Sequence, residues 1–174
     1  TQDQEQLLAF TRQLIALRAA HPVFRRRRFF GGNKAEVQSE QLEDIQWFSP
    51  AGTPMTQAEW NTFYARAVAV FLNGDAITEP DERGEPIADD SFLLLFTAAH
   101  ESVTFTLPSN RYGSAWSATL DTDGSVEDWQ VLVSGAELVV APHSLVVLSH
   151  PSLSTTTGST RQRAAVEAPS KAAL

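Results

Sequence analysis

Cysteine is absent from the chain. Its absence excludes a disulfide framework, a thiolate metal site and a cysteine nucleophile. No apolar run is long enough to span a bilayer, and no signal peptide is read at the start. Positive charge is also short. Thirteen Lys and Arg stand against 21 Asp and Glu, a formal net charge of −8, which argues against a nucleic-acid surface. Neither a GxSxG nor a P-loop pattern occurs. His21, His100, His143 and His150 are scattered without HxH or HxxxH spacing, so no metal site is expected. These absences suit a cytoplasmic protein with no nucleic-acid or membrane partner. An initiating methionine is missing too, and the chain opens on a helix already under way, so a fragment is expected.

What is present suffices for a core: 43% of the 174 residues are hydrophobic, enough for one domain of ordinary size. The central stretch is DDSFLLLFTAAHESVTFTLP, residues 89–108. After Ser91, the run from Phe92 to Phe96 is wholly apolar and reads as a strand covered on both faces, with Phe96 deep in the core. Val103, Phe105 and Leu107 then alternate with Thr104 and Thr106, a strand with one buried face. Ala98–Ser102 has the length of a hairpin connection between them. Such a pair needs a second layer over its remaining apolar face.

Upstream, residues 3–20 read as a helix. Leu7, Phe10, Leu14 and Leu17 recur at helical spacing, flanked by Leu8 and Ile15. Pro22 ends it by forcing His21 out of helical geometry. Residues 31–43 read as an irregular loop. Ile45, Trp47 and Phe48 form a short strand before the turn Pro50-Ala51-Gly52. Thr56 caps a helical turn carrying Glu59. Ala67–Leu72 is a buried strand ending at a hairpin-like Asn73-Gly74. Downstream, Trp116, Ala118 and Leu120 share a strand face, and Trp129, Val131 and Val133 mark another strand. The segments 138–141 and 144–148 resemble a closing hairpin or a kinked pair.

Candidates for chemistry have plain competitors. Arg25–Arg28 would grip an anionic polymer, but a charged turn paired with nearby carboxylates explains them as well. Asp89 and Asp90 are adjacent, and neighbouring strand residues point to opposite faces. They therefore read as a solvated loop end and not as a carboxylate pair across one bond. Trp47, Trp60, Trp116 and Trp129 suit either core packing or stacking on sugar rings. No catalytic, cofactor-binding or metal-ligating residue is assigned.

A family resemblance adds what patterning does not. LLAFTRQLIALRAAHPVFRRRRFF resembles the last barrel helix of bacterial glycogen debranching enzymes, the isoamylase-like branch of the α-amylase superfamily, through its LxxLRxxHPxxRRxxF pattern. DIQWFSPAGTPMTQAEW is similar to that family's DIxWxxPdGxxMxxxdW. ARAVAVFLNGDAI follows, then DDSFLLLFTAAHESVTFTLP and YGSAWSATLDT, in the family's order across residues 7–150. The resemblance implies a parent enzyme that hydrolyses α-1,6 branch points of glycogen without a redox cofactor. Its nucleophilic aspartate, glutamate acid/base and stabilising aspartate lie on barrel strands upstream of this helix, and none maps here.

The resulting expectation is a mainly β chain: an antiparallel β-sandwich preceded by one helix from the end of a (β/α)8 barrel. Residues 1–43 would be barrel helix and loop, 44–151 the sandwich, and 152–174 a disordered tail poor in apolar residues. The chain would brace the catalytic barrel of the same enzyme and meet branched α-glucan through that parent. The rival reading is an autonomous carbohydrate-binding module for glycogen; exposed, coplanar tryptophans would favour it. Deleting residues 154–174 is expected to leave Tm within about 2 °C, because changes away from packed features stay within about 0.5 kcal/mol. A larger fall in a thermal melt would show that the tail docks.

Overall fold

The computed structural model describes residues 1–31, 42–62, 66–126 and 131–152. The tail from residue 153, most of the loop 31–43 and Trp129 lie outside them. Helix α1 spans Gln2–Ala20. His21 leaves it in extended conformation (φ −114°, ψ 106°), and Pro22 starts a 3-10 turn over Pro22–Arg25, as proline chemistry dictates. Strands β1 (Ile45–Phe48), β2 (Ala67–Leu72), β3 (Ser91–Thr97), β4 (Val103–Thr106), β5 (Ala115–Asp121), β6 (Val131–Val133), β7 (Glu137–Val140) and β8 (Leu145–His150) follow. A short helix, α2 (Gln57–Trp60), sits between β1 and β2 with the expected capping box. The Glu59 amide donates to Thr56 Oγ1 at 3.3 Å, and the Thr56 amide to Glu59 Oε2 at 2.7 Å.

The strands form a β-sandwich of unequal layers. Six run β1-β2-β3-β8-β5-β6 and two run β4-β7, with every pairing antiparallel. Between the layers, Phe48, Phe71, Leu93, Leu95, Trp116 and Leu148 from the large sheet meet Phe105, Leu138 and Val140 from the small one. Aromatic edges close the packing: Phe71 meets Trp116 at 6.3 Å and Tyr112 at 5.2 Å between centroids, both T-shaped, the arrangement ring quadrupoles favour. A second core lies on the outer face of the large sheet. There Val70, Leu72, Phe92, Leu120 and Val147 pack with Val23, and Phe10, Leu17 and Phe24 press against them. The central strands are thus covered on both sides, which explains their unbroken apolar runs.

Several expected pairings differ. β3 and β4 are not a hairpin; β3 pairs with β2 and β8, while β4 crosses to pair with β7. The five residues between them bridge two layers, a span that length alone cannot tell from a turn. The segments 138–141 and 144–148 likewise part company, β7 staying in the small sheet while β8 enters the large one. Asn73-Gly74 is no tight hairpin turn. The Asn73 side chain caps a 3-10 turn over Gly74–Ala76, accepting from the Asp75 amide at 3.1 Å. Gly74 is required there, since a methyl group would come within 2.1 Å of the Asp89 carbonyl oxygen.

Faces differ too. A register shift between Ala118 and Leu120 sends Ala118 to the inter-sheet core and Leu120 to the outer one, as a bulge does. In β6, Leu132 is inward, while Val131 and Val133 are each 61% exposed. Phe96 is 38% exposed, because the cover over the outer face lies at the Phe92 end of β3. Ser152, placed with the tail on composition, is buried and donates through Oγ to Asp75.

Phe92→Ala is expected to cost about 3–5 kcal/mol, as for a fully buried aromatic. Phe96→Ala, at the uncovered end of the same strand face, should cost less than half as much. Urea denaturation of the two variants separates them, and equal costs would contradict the packing described.

Candidate functional site

The outer face of the large sheet is where this chain presents itself, and a buried carboxylate sets its geometry. Asp89, at the head of β3, is only 8% exposed. Its Oδ2 accepts from the Val23 amide at 3.0 Å, and its Oδ1 from the Asp90 amide at 2.8 Å. His21 Nδ1 lies 2.8 Å from Oδ1; a carboxylate only accepts, so the imidazole proton sits on Nδ1. The His21 ring meets Phe92 edge-on at 4.7 Å, and Phe24 packs on Phe92 at 4.6 Å. The expectation of a solvated acidic pair is therefore overturned for Asp89. Local sequence shows an acidic dipeptide; only the fold adds the distant donors His21 and Val23 to the neighbouring Asp90 amide.

The arginine run continues this anchorage. Arg26 has a nearly buried side chain, donates through Nη2 to the Ala76 carbonyl at 2.9 Å, and stands 3.4 Å from Asp44 Oδ2. Its guanidinium lies 4.6 Å over the Phe30 ring. Glu79 Oε1 accepts the amides of Arg27 at 3.0 Å and Arg28 at 2.7 Å. Those bonds, the Arg28 amide foremost, hold the Glu79 carboxyl below its ordinary pKa; burial opposes them and the Arg26 charge assists. The Thr56 amide does the same at Glu59. A carboxyl depressed in the folded state stabilises above the unfolded carboxylate range, and that support is lost as pH falls through it. Here the charged-turn reading describes Arg26, with Asp44 as its carboxylate.

Two apolar surfaces remain uncovered beside this anchor. On α1, Phe10 and Leu17 face the sandwich. Leu7 (66% exposed), Leu8 (48%), Leu14 (40%) and Ile15 (64%) do not. At 100° per residue, these six side chains span an arc of roughly 180°, of which only the inner edge is covered. On the sheet, Trp47 shares the outer face of β1 with Ile45. It is 37% exposed and meets Trp60, 49% exposed, at 5.3 Å between centroids and 75° between planes. Trp116 is fully buried. The two exposed rings thus stand on edge to one another and make no flat platform.

Three further acids hold loops together. Asp81 accepts the Arg83 and Glu85 amides at 2.8 and 2.9 Å. Asp121 accepts those of Asp123, Ser125 and Val126. Asp90 accepts from the Ser152 amide at 3.3 Å. Among the described residues no three His, Asp or Glu side chains gather as a metal site, and no helix is long and apolar enough to cross a membrane. The histidines, dispersed in sequence, do find partners: His21 with Asp89, His150 Nδ1 with the Ala115 carbonyl at 2.7 Å, and His100 with His143 at 3.1 Å.

Comparison with known proteins adds four matches. The family model described as "Isoamylase, C-terminal" matches residues 44–149. The glycogen operon protein GlgX homolog of Mycobacterium tuberculosis (strain ATCC 25618 / H37Rv) is 46% identical over 143 residues, 82% of this chain and 20% of that protein. The isoamylase of Pseudomonas amyloderamosa is 29% identical over 144 residues, 83% of this chain and 15% of its own length. The chain thus spans a fifth or less of these relatives. Among solved structures, pullulanase type I from Bacillus subtilis str. 168, complexed with maltose, covers 85% of this chain and 16% of its own, with TM-score 0.49 and 18% identity.

Asp89→Ala is expected to strand the buried Val23 amide and cost about 1–3 kcal/mol. Amide hydrogen exchange at Val23 and Phe24 should accelerate more than exchange in β8. Unchanged protection at Val23 would show that Asp89 does not anchor the turn.

Proposed function

The chain belongs to the isoamylase C-terminal family, and from that membership we propose that it is the non-catalytic closing module of a glycogen debranching enzyme. The parent would hydrolyse α-1,6-glucosidic branch points, and this module would brace its catalytic (β/α)8 barrel. In this reading residues 1–43 carry the last barrel helix and its exit loop, 44–151 the sandwich, and 152–174 a tail. Branched α-glucan is met through the parent, in the cytoplasm, and the module itself needs no cofactor.

The observation that carries the reading is the two-sided apolar arc of α1. Phe10 and Leu17 hold the helix to the sandwich, while Leu7, Leu8, Leu14 and Ile15 present a second apolar side to solvent. A helix apolar on both sides joins two bodies. Each of those side chains contributes up to about 1.5–3 kcal/mol on full burial, so covering them favours a partner strongly. The natural one is the remaining four-fifths of a relative-length polypeptide. The latch through Asp89, His21 and Val23 then fixes the angle at which that helix leaves the sandwich, and the exposed Trp47 and Phe96 extend the same face.

Catalysis is assigned elsewhere. Glycoside hydrolysis needs one carboxylic acid to protonate the leaving oxygen and a second carboxylate across the sugar. In a retaining enzyme they stand about 5–5.5 Å apart, one with a raised pKa. Asp81, Asp89 and Asp121 each accept two or more backbone amides, the arrangement of side chains that hold loops and turns in place.

The purified chain is expected to release no reducing sugar from glycogen limit dextrin, and activity should appear only when the barrel is fused or added. In glycogen-containing native gels it should migrate unretarded. Cleavage by the chain alone, lost in Asp90→Asn, would sink the reading. Retardation lost in Trp60→Ala would favour the autonomous glycogen-binding module in its place.

A further inference from the structure

We propose that His100 and His143 form a two-imidazole chelate for a divalent transition-metal ion, with Cu2+ its tightest occupant. The two residues lie 43 positions apart, on two of the four connections through which the chain changes sheet. One is the link from β3 to β4 and the other the link from β7 to β8. Main-chain bonds lock these connections together. The Thr97 amide donates to the Ser144 carbonyl at 3.0 Å and the His143 amide to the Ala99 carbonyl at 3.3 Å. Side chains add the Ala99 amide to Thr97 Oγ1 at 3.1 Å and Ser144 Oγ to the Ala141 carbonyl at 2.6 Å. The backbone under both imidazoles is therefore preorganised. His143 is itself the one described non-glycine residue with positive φ, at 51°.

The rings present His143 Nε2 and His100 Nδ1 to each other at 3.1 Å, centroids 4.9 Å apart, and both side chains are exposed. In the free protein one nitrogen carries the shared proton. A neutral imidazole can hold its proton on either nitrogen. Moving that proton through solvent to the far nitrogen of the same ring leaves two facing lone pairs, with proton count and charge unchanged. A metal about 2.0–2.1 Å from each nitrogen would then subtend an angle of about 95–100° between its bonds. That angle lies between the right angle of tetragonal or octahedral ions and the tetrahedral value, and a modest turn of two exposed rings reaches it.

Imidazole suits Cu2+, Ni2+ and Zn2+, and the Irving–Williams order puts Cu2+ first. The net charge of −8 favours a cation. With no third His, Asp or Glu gathered there among the described residues, water completes the coordination. The site is an exchangeable surface chelate and not a closed structural centre. Its occupation would pin the β3–β4 and β7–β8 connections to one another.

The test is CuCl2 titration of the full 174-residue chain, read by calorimetry and by paramagnetic broadening in amide NMR spectra. One saturable equivalent is expected, with broadening centred on residues 98–102 and 141–145. His100→Gln and His143→Asn should each weaken binding by about tenfold or more, the loss of one arm of a chelate. Asn is compatible with the left-handed backbone at 143, and metal-free melts of both variants should match the parent chain. Absence of saturable binding, or binding unchanged in either variant, overturns the proposal.

Discussion

Asp89 is where the two halves of this structure meet. Its carboxylate sits at the head of the central strand, buried, and takes donors from Val23, Asp90 and His21. A carboxylate so placed would be costly without partners, and each donor it gathers comes with a geometric demand. Together they seat the turn Pro22–Arg25 on the outer face of the large sheet, where Val23 and Phe24 cover Phe92. Proline helps by ending α1 one residue earlier, so that His21 is already extended when it reaches the strand. Remove the anchor, and the helix loses its fixed angle to the sandwich.

That anchorage covers part of one face of a sandwich whose layers are unequal. The two-stranded layer of β4 and β7 packs on an inner face to which all six strands of the large sheet contribute. The outer face is covered by the helix exit near Phe92 and left partly open toward Phe96 and Trp47. A self-sufficient sandwich would pair two broader layers and polarise its outer faces. Here the outer face keeps apolar residues, and the helix carries more of them than the sandwich can use. The surplus leaves Leu7, Leu8, Leu14 and Ile15 of the helix exposed beside the sheet.

Two of the connections that change sheet also gather residues that are far apart in sequence. β3 to β4 and β7 to β8 each cross the sandwich at one end, and their backbones bond to one another there. His100 and His143 come together as a consequence of that crossing. Gly52 reflects a similar closeness at another edge: with φ at 74°, its turn lies where a methyl group would meet the Thr106 carbonyl oxygen at 2.6 Å. The Thr106 amide donates to the Pro50 carbonyl beside it, at 2.8 Å.

Much was legible in the sequence where the controlling physics acts over a few residues. Pro22 stops a helix because ring and backbone clash locally; Thr56 and Glu59 cap one because their side chains reach three residues. Apolar runs at 67–72 and 92–96 mark strands because a doubly covered strand has no wet face. The residue motifs also pointed to the family that the comparisons later matched. Pairing was not legible, since Ala98–Ser102 has the same length and polarity whether it turns a hairpin or crosses between layers. Nor was facing: one bulge between Ala118 and Leu120 moves a leucine from one core to another without altering any local pattern. Asp89 and Asp90 look alike in the chain, and burial tells them apart only after Val23 and His21 arrive from 66 and 68 residues away. Local sterics and periodicity wrote the elements; long-range closure decided their partners, their faces and which polar groups were buried.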